Sequence, residues 1–260
     1  MAEQDRRQNA PERGRSGTTA VVTGGGRGFG KAFGVALAAE GAAVVLVDID
    51  GSAAEEAAAE IRQSGGSARG FAGDVTDETA MAAIMAEAGE IHGGIDVLIN
   101  NAGLHSDEYS RPIRDMGLAK VRRLLDVNIV GVIACTLAAH PHMAGRAGSI
   151  VNIASAAAHL GGTAYGTSKL AVAGLTITFA RELGADGIRV NAISPGLILT
   201  DTIRAELPEA AKERVKAMQY IDADGAEADI VEAMLYLTSD RARFVTGETL
   251  RVTGGMAAGV

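Results

Sequence analysis

Apolar and polar positions alternate along the chain between short β-branched runs and longer Ala-rich amphipathic stretches. The first run, Thr18 to Thr23, centres on Ala20-Val21-Val22 and leads through a glycine cluster into the Ala-rich stretch Lys31 to Glu40. Val44 to Val47 is continuously apolar, as a strand covered on both faces must be, and it stops at Asp48. Ser52 is placed to cap an Ala/Glu-rich helix reaching about Ser64, and Gly65-Gly66 turns the chain into a third strand over Ala68 to Ala72. A helix from Asp77 to Ile91 closes at His92-Gly93-Gly94, and Ile95 to Ile99 reads as the fourth strand. After a polar segment, His105 to Met116, one long helix is predicted from Leu118 to His142, ended by Pro141 and Gly145. Ser149 to Ala154 supplies a fifth strand, a helix opening near Thr163 continues to Leu183, and Ile188 to Ile193 a sixth strand. Leu197 to Ala223 has weak periodicity and polar breaks, as a mobile lid does, and precedes a helix over Glu227 to Leu237 and a last strand over Thr249 to Val252. Six strand-helix alternations and a seventh strand predict an α/β fold: a doubly wound, seven-stranded parallel sheet with helices on both faces.

Composition narrows the partners. The 260 residues carry a net charge of -8 and no basic run beyond the N-terminal arginines, which argues against nucleic acid or an anionic membrane as partner and for a small ligand. Residues 1–17 read as a disordered tail and 18–260 as one domain. No uncharged apolar run of about eighteen residues occurs, so no membrane span is expected. The single cysteine, Cys135, excludes an intrachain disulfide and a cysteine-rich metal site, and it suits a reducing cytoplasm.

The candidate chemistry begins at Ser155. Tyr165 and Lys169 stand four apart, so on a helix opening near Thr163 both side chains share one face. A nearby ammonium favours a phenolate, and such a tyrosine exchanges a proton with a substrate hydroxyl. Ser155 ends the apolar run, where its hydroxyl is placed to hold the same oxygen. Upstream, Gly24, Gly28 and Gly30, with Arg27 and Phe29 between them, form a strand-turn-helix glycine cluster that admits a pyrophosphate to a helix N-terminus. Asp48, beside Ile49, is positioned to bind an adenosine ribose and repel a 2′-phosphate, which favours NAD; Arg27 argues for NADP, and Asp50 is a rival for the role of Asp48. Asp74 and Val75 either hold an adenine edge or, in the case of Asp74, cap the next helix. Asn100, Asn101, Ala102 and Gly103 lie at a strand's carboxyl end, where a ligand lies in doubly wound sheets, and Asn128 sits inside a helix that disfavours it.

In this order, Thr23-Gly-Gly-Gly-Arg-Gly-Phe-Gly30, Asp48, Asp74, Asn100-Asn-Ala-Gly103, Asn128, Ser155, Tyr165-Gly-Thr-Ser-Lys169 and Pro195-Gly-Leu-Ile-Leu-Thr200 resemble the short-chain dehydrogenase/reductase family, over nearly everything from Thr18 to Met256. The resemblance implies a Rossmann-type fold, a homotetramer or homodimer, and an alcohol or ketone substrate. It further implies Tyr165 as general acid/base, Ser155 orienting the substrate oxygen, Lys169 lowering the tyrosine pKa and holding the nicotinamide ribose, and Asn128 supporting a water relay. Pro195, Gly196, Ile198 and Thr200 would bracket the nicotinamide carboxamide. The connection of ten residues from Ser155 to Tyr165 is shorter than is common in the family, which makes Thr163 a substitute hydroxyl and brings His159, and with it His105, into consideration as substrate contacts. The expected reaction is hydride transfer between NAD and a secondary alcohol. An NADPH-dependent ketoacyl or carbonyl reductase, and a cofactor-binding redox sensor or scaffold without turnover, are the alternatives.

Overall fold

In the computed structural model, which describes residues 14–105, 108–198 and 209–257, the chain alternates strand and helix around one sheet. The strands are β1 (Thr19–Thr23), β2 (Ala43–Asp48), β3 (Ser67–Ala72), β4 (Val97–Asn100), β5 (Ser149–Ile153), β6 (Arg189–Pro195) and β7 (Thr249–Val252). They lie in the order β3-β2-β1-β4-β5-β6-β7, all parallel. Every residue of β1, β2, β4 and β5 is buried, which is why their sequences run apolar without alternation.

The helices are α1 (Gly28–Ala39), α2 (Gly51–Gln63), α3 (Glu78–Ile91), α4 (Leu118–Leu125), α5 (Gly131–Met143), α6 (Ala157–Leu160), α7 (Ala164–Leu183), α8 (Glu209–Lys216) and α9 (Glu227–Leu237). One core packs Phe33, Leu37, Ile61, Ile230 and Met234 of α1, α2 and α9 against one sheet face. A second core packs Met81, Met85, Cys135, Met143 and Phe179 of α3, α5 and α7 against the other. Strand order reverses between β1 and β4, so a crevice opens beyond their carboxyl ends.

Several boundaries differ from those read in the sequence. The cap of α2 is Asp50, whose carboxylate accepts from the Ala53 amide at 3.2 Å; Ser52 lies inside the helix and donates to Asp50 at 2.6 Å. The fourth strand starts at Val97; Ile95 gives its amide to the His142 carbonyl at the end of α5 and not to a neighbouring strand. The helix read as continuous from Leu118 is broken by a five-residue π-turn, Asp126–Val130, and it runs past Pro141 to Met143. Pro141 lies within the last turn, where its missing N–H costs the helix one i→i−4 hydrogen bond. Arg15, assigned to the tail, is buried: its guanidinium donates to Glu40, to the Thr238 carbonyl and hydroxyl, and to the Leu235 carbonyl, tying the chain to the end of α9.

The Leu118–Met143 stretch is 26 residues long with a most apolar window of hydropathy 1.6, which matches a membrane span by length and composition. In this fold it is a core-layer helix, with 44% of that window buried and Val132, Cys135, Thr136, Ala139 and Met143 packed inward.

Candidate active site

The crevice begins with the glycine turn. Gly24 has a φ of +63°, and a Cβ on Gly30 would come within 1.9 Å of the Gly24 carbonyl, so no larger residue fits there. Gly28 has a φ of +50° and open space where a Cβ would stand. Arg27, at the N-cap of α1, offers no side-chain acceptor to the first-turn amides. These amides and the helix dipole suit a pyrophosphate, and the absent Cβ of Gly28 leaves room for its approach. Phe29 is stacked on Phe33, with centroids 6.1 Å apart, and Ile49 stands exposed at the end of β2.

The mouth of the turn is fixed by hydrogen bonds between β1 and β4. Thr23 Oγ1 accepts from the Asn101 and Ala102 amides at 3.1 Å each, and Asn101 Nδ2 donates to the Thr23 and Gly24 carbonyls at 3.0 Å each. Asn100 locks the next pair of strands: its Nδ2 donates to Asn152 Oδ1 of β5 at 2.9 Å and to Thr136 Oγ1 at 3.1 Å. The two amides of this segment therefore clasp neighbouring strands.

Asp48 is buried, accepting from the Gly26 amide at 3.0 Å and from the Asp50 amide at 3.1 Å, so its carboxylate is aimed at the glycine turn. Asp50 lies beside it with its carboxyl below the ordinary range, held there by Ser52, the Ala53 amide and the nearby Arg27. Asp74 is not a helix cap; Asp77 takes that place on Ala80. Partial burial pushes the Asp74 carboxyl up, but hydrogen bonds from Thr76 and Arg123 outweigh it and leave the group lowered. The Val75 side chain fills the space left by Gly131.

At the end of β5 the chain delivers the proton-transfer groups. Ser155 Oγ accepts from the Ala157 amide at 3.2 Å, and the Ala156 amide donates to the Pro195 carbonyl at 2.8 Å. The short connection folds as the single turn α6, and Gly161 and Gly162, with φ of +68° and +90°, turn it into α7. Thr163 is the cap of α7, its hydroxyl accepting from the Gly166 amide at 2.9 Å. The Tyr165 amide donates to the Tyr109 carbonyl at 3.3 Å, which fixes the turn carrying the phenol. Ser155 stays within reach of that phenol despite the shortened connection and favours its ionised form.

Burial decides the protonation states. It pushes the Tyr165 phenol up, with Ser155 working the other way, contrary to the lowered value expected beside a lysine. Lys169 is itself buried and is pushed down to about 8. Its ammonium lies 5.9 Å from the Tyr165 ring centroid and donates to the Ile153 carbonyl at 2.7 Å.

Asn128 occupies the π-turn and is fully buried, so its place inside a helix is explained by structural contacts. Its Oδ1 accepts from the Leu104 amide at 2.8 Å, and its Nδ2 donates to the Leu104 carbonyl at 3.1 Å and to Ser168 Oγ at 3.0 Å. A Cβ on Gly103 would stand 3.3 Å from both Asn128 Oδ1 and Lys169 Nζ, so the glycine keeps these two groups at one small space.

The remaining expected contacts are looser. Pro195 ends β6, Gly196 donates to the Val252 carbonyl at 2.8 Å, and Ile198 is buried and bridged to Gly225. Thr200 and most of the expected lid up to residue 208 lie outside the described residues. His105 and His159 are both exposed; partial burial and the charge of Arg251 push the His159 ring down. Sequence reasoning gave no role of their own to Thr23 and Ser168, though both stand in the quoted motifs, and it missed Tyr109, which carries no local signal.

Comparison with known proteins supports the fold. A family model described as enoyl-(acyl carrier protein) reductase matches residues 24–257. The short-chain reductase protein NovJ of Streptomyces niveus is 38% identical over 247 residues, covering 92% of this chain and 93% of that protein. The cis-4-hydroxycyclohexanecarboxylate dehydrogenase of Sinomonas cyclohexanicum is 38% identical over 243 residues, covering 92% and 96%. The solved structure of a 7α-hydroxysteroid dehydrogenase with NADH and 7-oxo glycochenodeoxycholic acid matches with a TM-score of 0.86 and 34% identity, over 92% of this chain and 94% of that one.

Proposed function

Because the chain belongs to the short-chain dehydrogenase/reductase family of oxidoreductases, we propose that it interconverts a secondary alcohol and its ketone using NAD, with Tyr165 as general acid/base. The observation that carries this reading is the convergence of Ser155, Tyr165, Lys169 and Asn128 beside a crevice whose glycine turn leaves helix amides free. A bound nicotinamide dinucleotide supplies hydride transfer, and the protein's own task is to orient the substrate oxygen and move one proton.

Tyr165 gives its proton to the substrate oxygen in reduction and takes it back in oxidation, with Ser155 orienting that oxygen. Lys169 would hold the nicotinamide ribose, and Asn128 steadies the segment through Gly103 against which the ring would lie. The amides of Gly28 to Gly30 would receive the pyrophosphate, Ile49, Asp74 and Val75 the adenine, and Pro195 to Thr200 the carboxamide. Asp48 and Asp50 favour NAD, since a 2′-phosphate would meet two carboxylates while Arg27 already has Asp50 beside it. Two of the similar proteins act, by their names, on a ring-borne hydroxyl, which supports the alcohol/ketone class. The exposed Arg27 favours a second reading, an NADPH-dependent carbonyl or ketoacyl reductase.

The assembly is a homotetramer or homodimer in this reading. Val130 and Leu137, and Leu170 and Ile177, stand seven apart on their helices and expose apolar side chains (43%, 56%, 56% and 59%), a face suited to a second copy. The cytoplasm, with its nicotinamide pool, is where the reaction belongs.

Tyr165→Phe tests the mechanism. The variant should bind NADH with unchanged fluorescence response and lose turnover by ~10²- to 10⁴-fold on a panel of alcohols and ketones. Retained turnover removes Tyr165 from the chemistry, and NADH binding with no turnover by the wild type on that panel points to a sensor or scaffold. Parallel NADH and NADPH titrations decide the cofactor.

A further inference from the structure

Asn128 is held by three hydrogen bonds, and two of them come from one backbone segment. The third partner is Ser168, a fully buried side chain with no part in the proposed chemistry. A serine inside a helix ordinarily returns its hydroxyl to a carbonyl one turn back, and Ser168 does so, donating to the Tyr165 carbonyl at 2.7 Å. Its oxygen is then left to accept the Asn128 amide at 3.0 Å. One hydroxyl thus joins the backbone of the phenol-bearing residue to the amide in the π-turn.

This junction fixes the Asn128 amide in one sense. Both hydrogens of Nδ2 are used, one on Leu104 and one on Ser168, while Oδ1 takes the Leu104 amide. Turning the amide over would set Nδ2 against the Leu104 N–H and Oδ1 against its carbonyl, so the three bonds are made together or lost together. Asn128 Oδ1 and Lys169 Nζ border the same small space at Gly103, so the orientation of the amide decides whether the ammonium faces an acceptor or a donor there.

We propose that Ser168 is a positioning residue of the active site, fixing the Asn128 amide and the register of the Tyr165–Lys169 turn against the Gly103-Leu104 segment. The proposal rests on the reading of Tyr165 as general acid/base for its effect on turnover, but the tie itself is independent of that reading. Without the hydroxyl, one Nδ2 hydrogen is left buried and unpaired, and the amide is held by Leu104 alone.

The test compares Ser168→Ala and Ser168→Cys with the wild type. The alanine variant should lose about tenfold in kcat, the scale of one buried hydrogen bond, with NADH affinity and substrate KM unchanged within about twofold. Ser168→Cys, nearly the same size with a weaker donor and acceptor, should fall between the two. In parallel, the Asn128 side-chain amide signals in a nitrogen-edited NMR spectrum, assigned by their loss in Asn128→Ser, should be protected from exchange in the wild type and lose that protection in Ser168→Ala. Wild-type kcat together with retained protection in Ser168→Ala overturns the proposal. So does a kcat loss that tracks melting temperature and NADH affinity instead of the order Ser, Cys, Ala. Turnover surviving Tyr165→Phe would defeat the proposed mechanism alone, since the amide signals report on Ser168 without any catalysis.

Discussion

Replacing Lys169 by Met should stabilise the ligand-free protein at neutral pH while abolishing turnover. Burial pulls the ammonium from its ordinary 10.5 down to about 8, and unfolding returns it to water. Between those two values the folded protein binds fewer protons than the unfolded chain, so stability rises with pH across that window. At pH 7 both states are charged and the gap corresponds to about 3 kcal/mol of penalty, which falls to about 1 kcal/mol by pH 9.5 as the folded-state amine deprotonates. Methionine follows a similar unbranched path without a charge. Its one loss is the bond to the Ile153 carbonyl at 2.7 Å, worth about 1 kcal/mol.

The variant should therefore be about 2 kcal/mol more stable than the wild type near pH 7, with the advantage nearly gone by about pH 9.5. Urea denaturation of both proteins at several pH values over that range measures it, with cofactor absent so that binding does not enter. A variant less stable than the wild type at pH 7, or two stability curves that stay parallel as pH rises, would refute the reasoning. The first would mean that hydrogen bonding to Ile153 outweighs desolvation. The second would mean that Lys169 is solvated enough to keep its ordinary pKa.

The two hydroxyls flanking the shortened connection should separate cleanly. Thr163→Ala should cost about 1 kcal/mol of stability through loss of the α7 cap and leave kcat nearly unchanged, whereas Ser155→Ala should lower kcat by roughly 10²-fold with little change in stability; the reverse pattern would restore Thr163 as the substrate-orienting group. Leu137→Glu should dissociate the proposed assembly, read as a drop in sedimentation mass with the circular dichroism unchanged. A monomeric wild type would show that this apolar face pairs with no second copy.

The fold was largely legible because a parallel sheet covered on both faces demands unbroken apolar strands, and Val44 to Val47 or Ile150-Val151 leave little other reading. The glycine turn was legible too, since Gly24 and Gly30 answer steric demands that no other residue meets. What escaped depends on partners far off in the chain. Arg15 looks like part of a polar tail until Thr238, 223 residues later, receives its guanidinium. The π-turn adds one residue to a helix for the sake of Asn128, and local propensity shows only that Asn is out of place there. Ser52 and Asp50 are both good caps two residues apart, and only the geometry of the entering strand selects Asp50.

The inverted tyrosine has the same origin. Spacing alone brings an ammonium near a phenol, and in water that neighbour would favour the phenolate. In the folded protein the packing that brings the two together also removes both from water, so burial raises the phenol and lowers the amine, and each is driven toward its neutral form. The ammonium donates to the Ile153 carbonyl, and among the described residues Ser155 alone works in favour of an ionised phenol. Tyr165 thus rests with its proton in place. Under the proposed reaction, reduction of a ketone draws on the residue in its resting state, while oxidation of an alcohol has first to strip it. The ligand-free site is therefore poised as an acid, and its use as a base depends on charge or hydrogen bonds that arrive with the bound molecules.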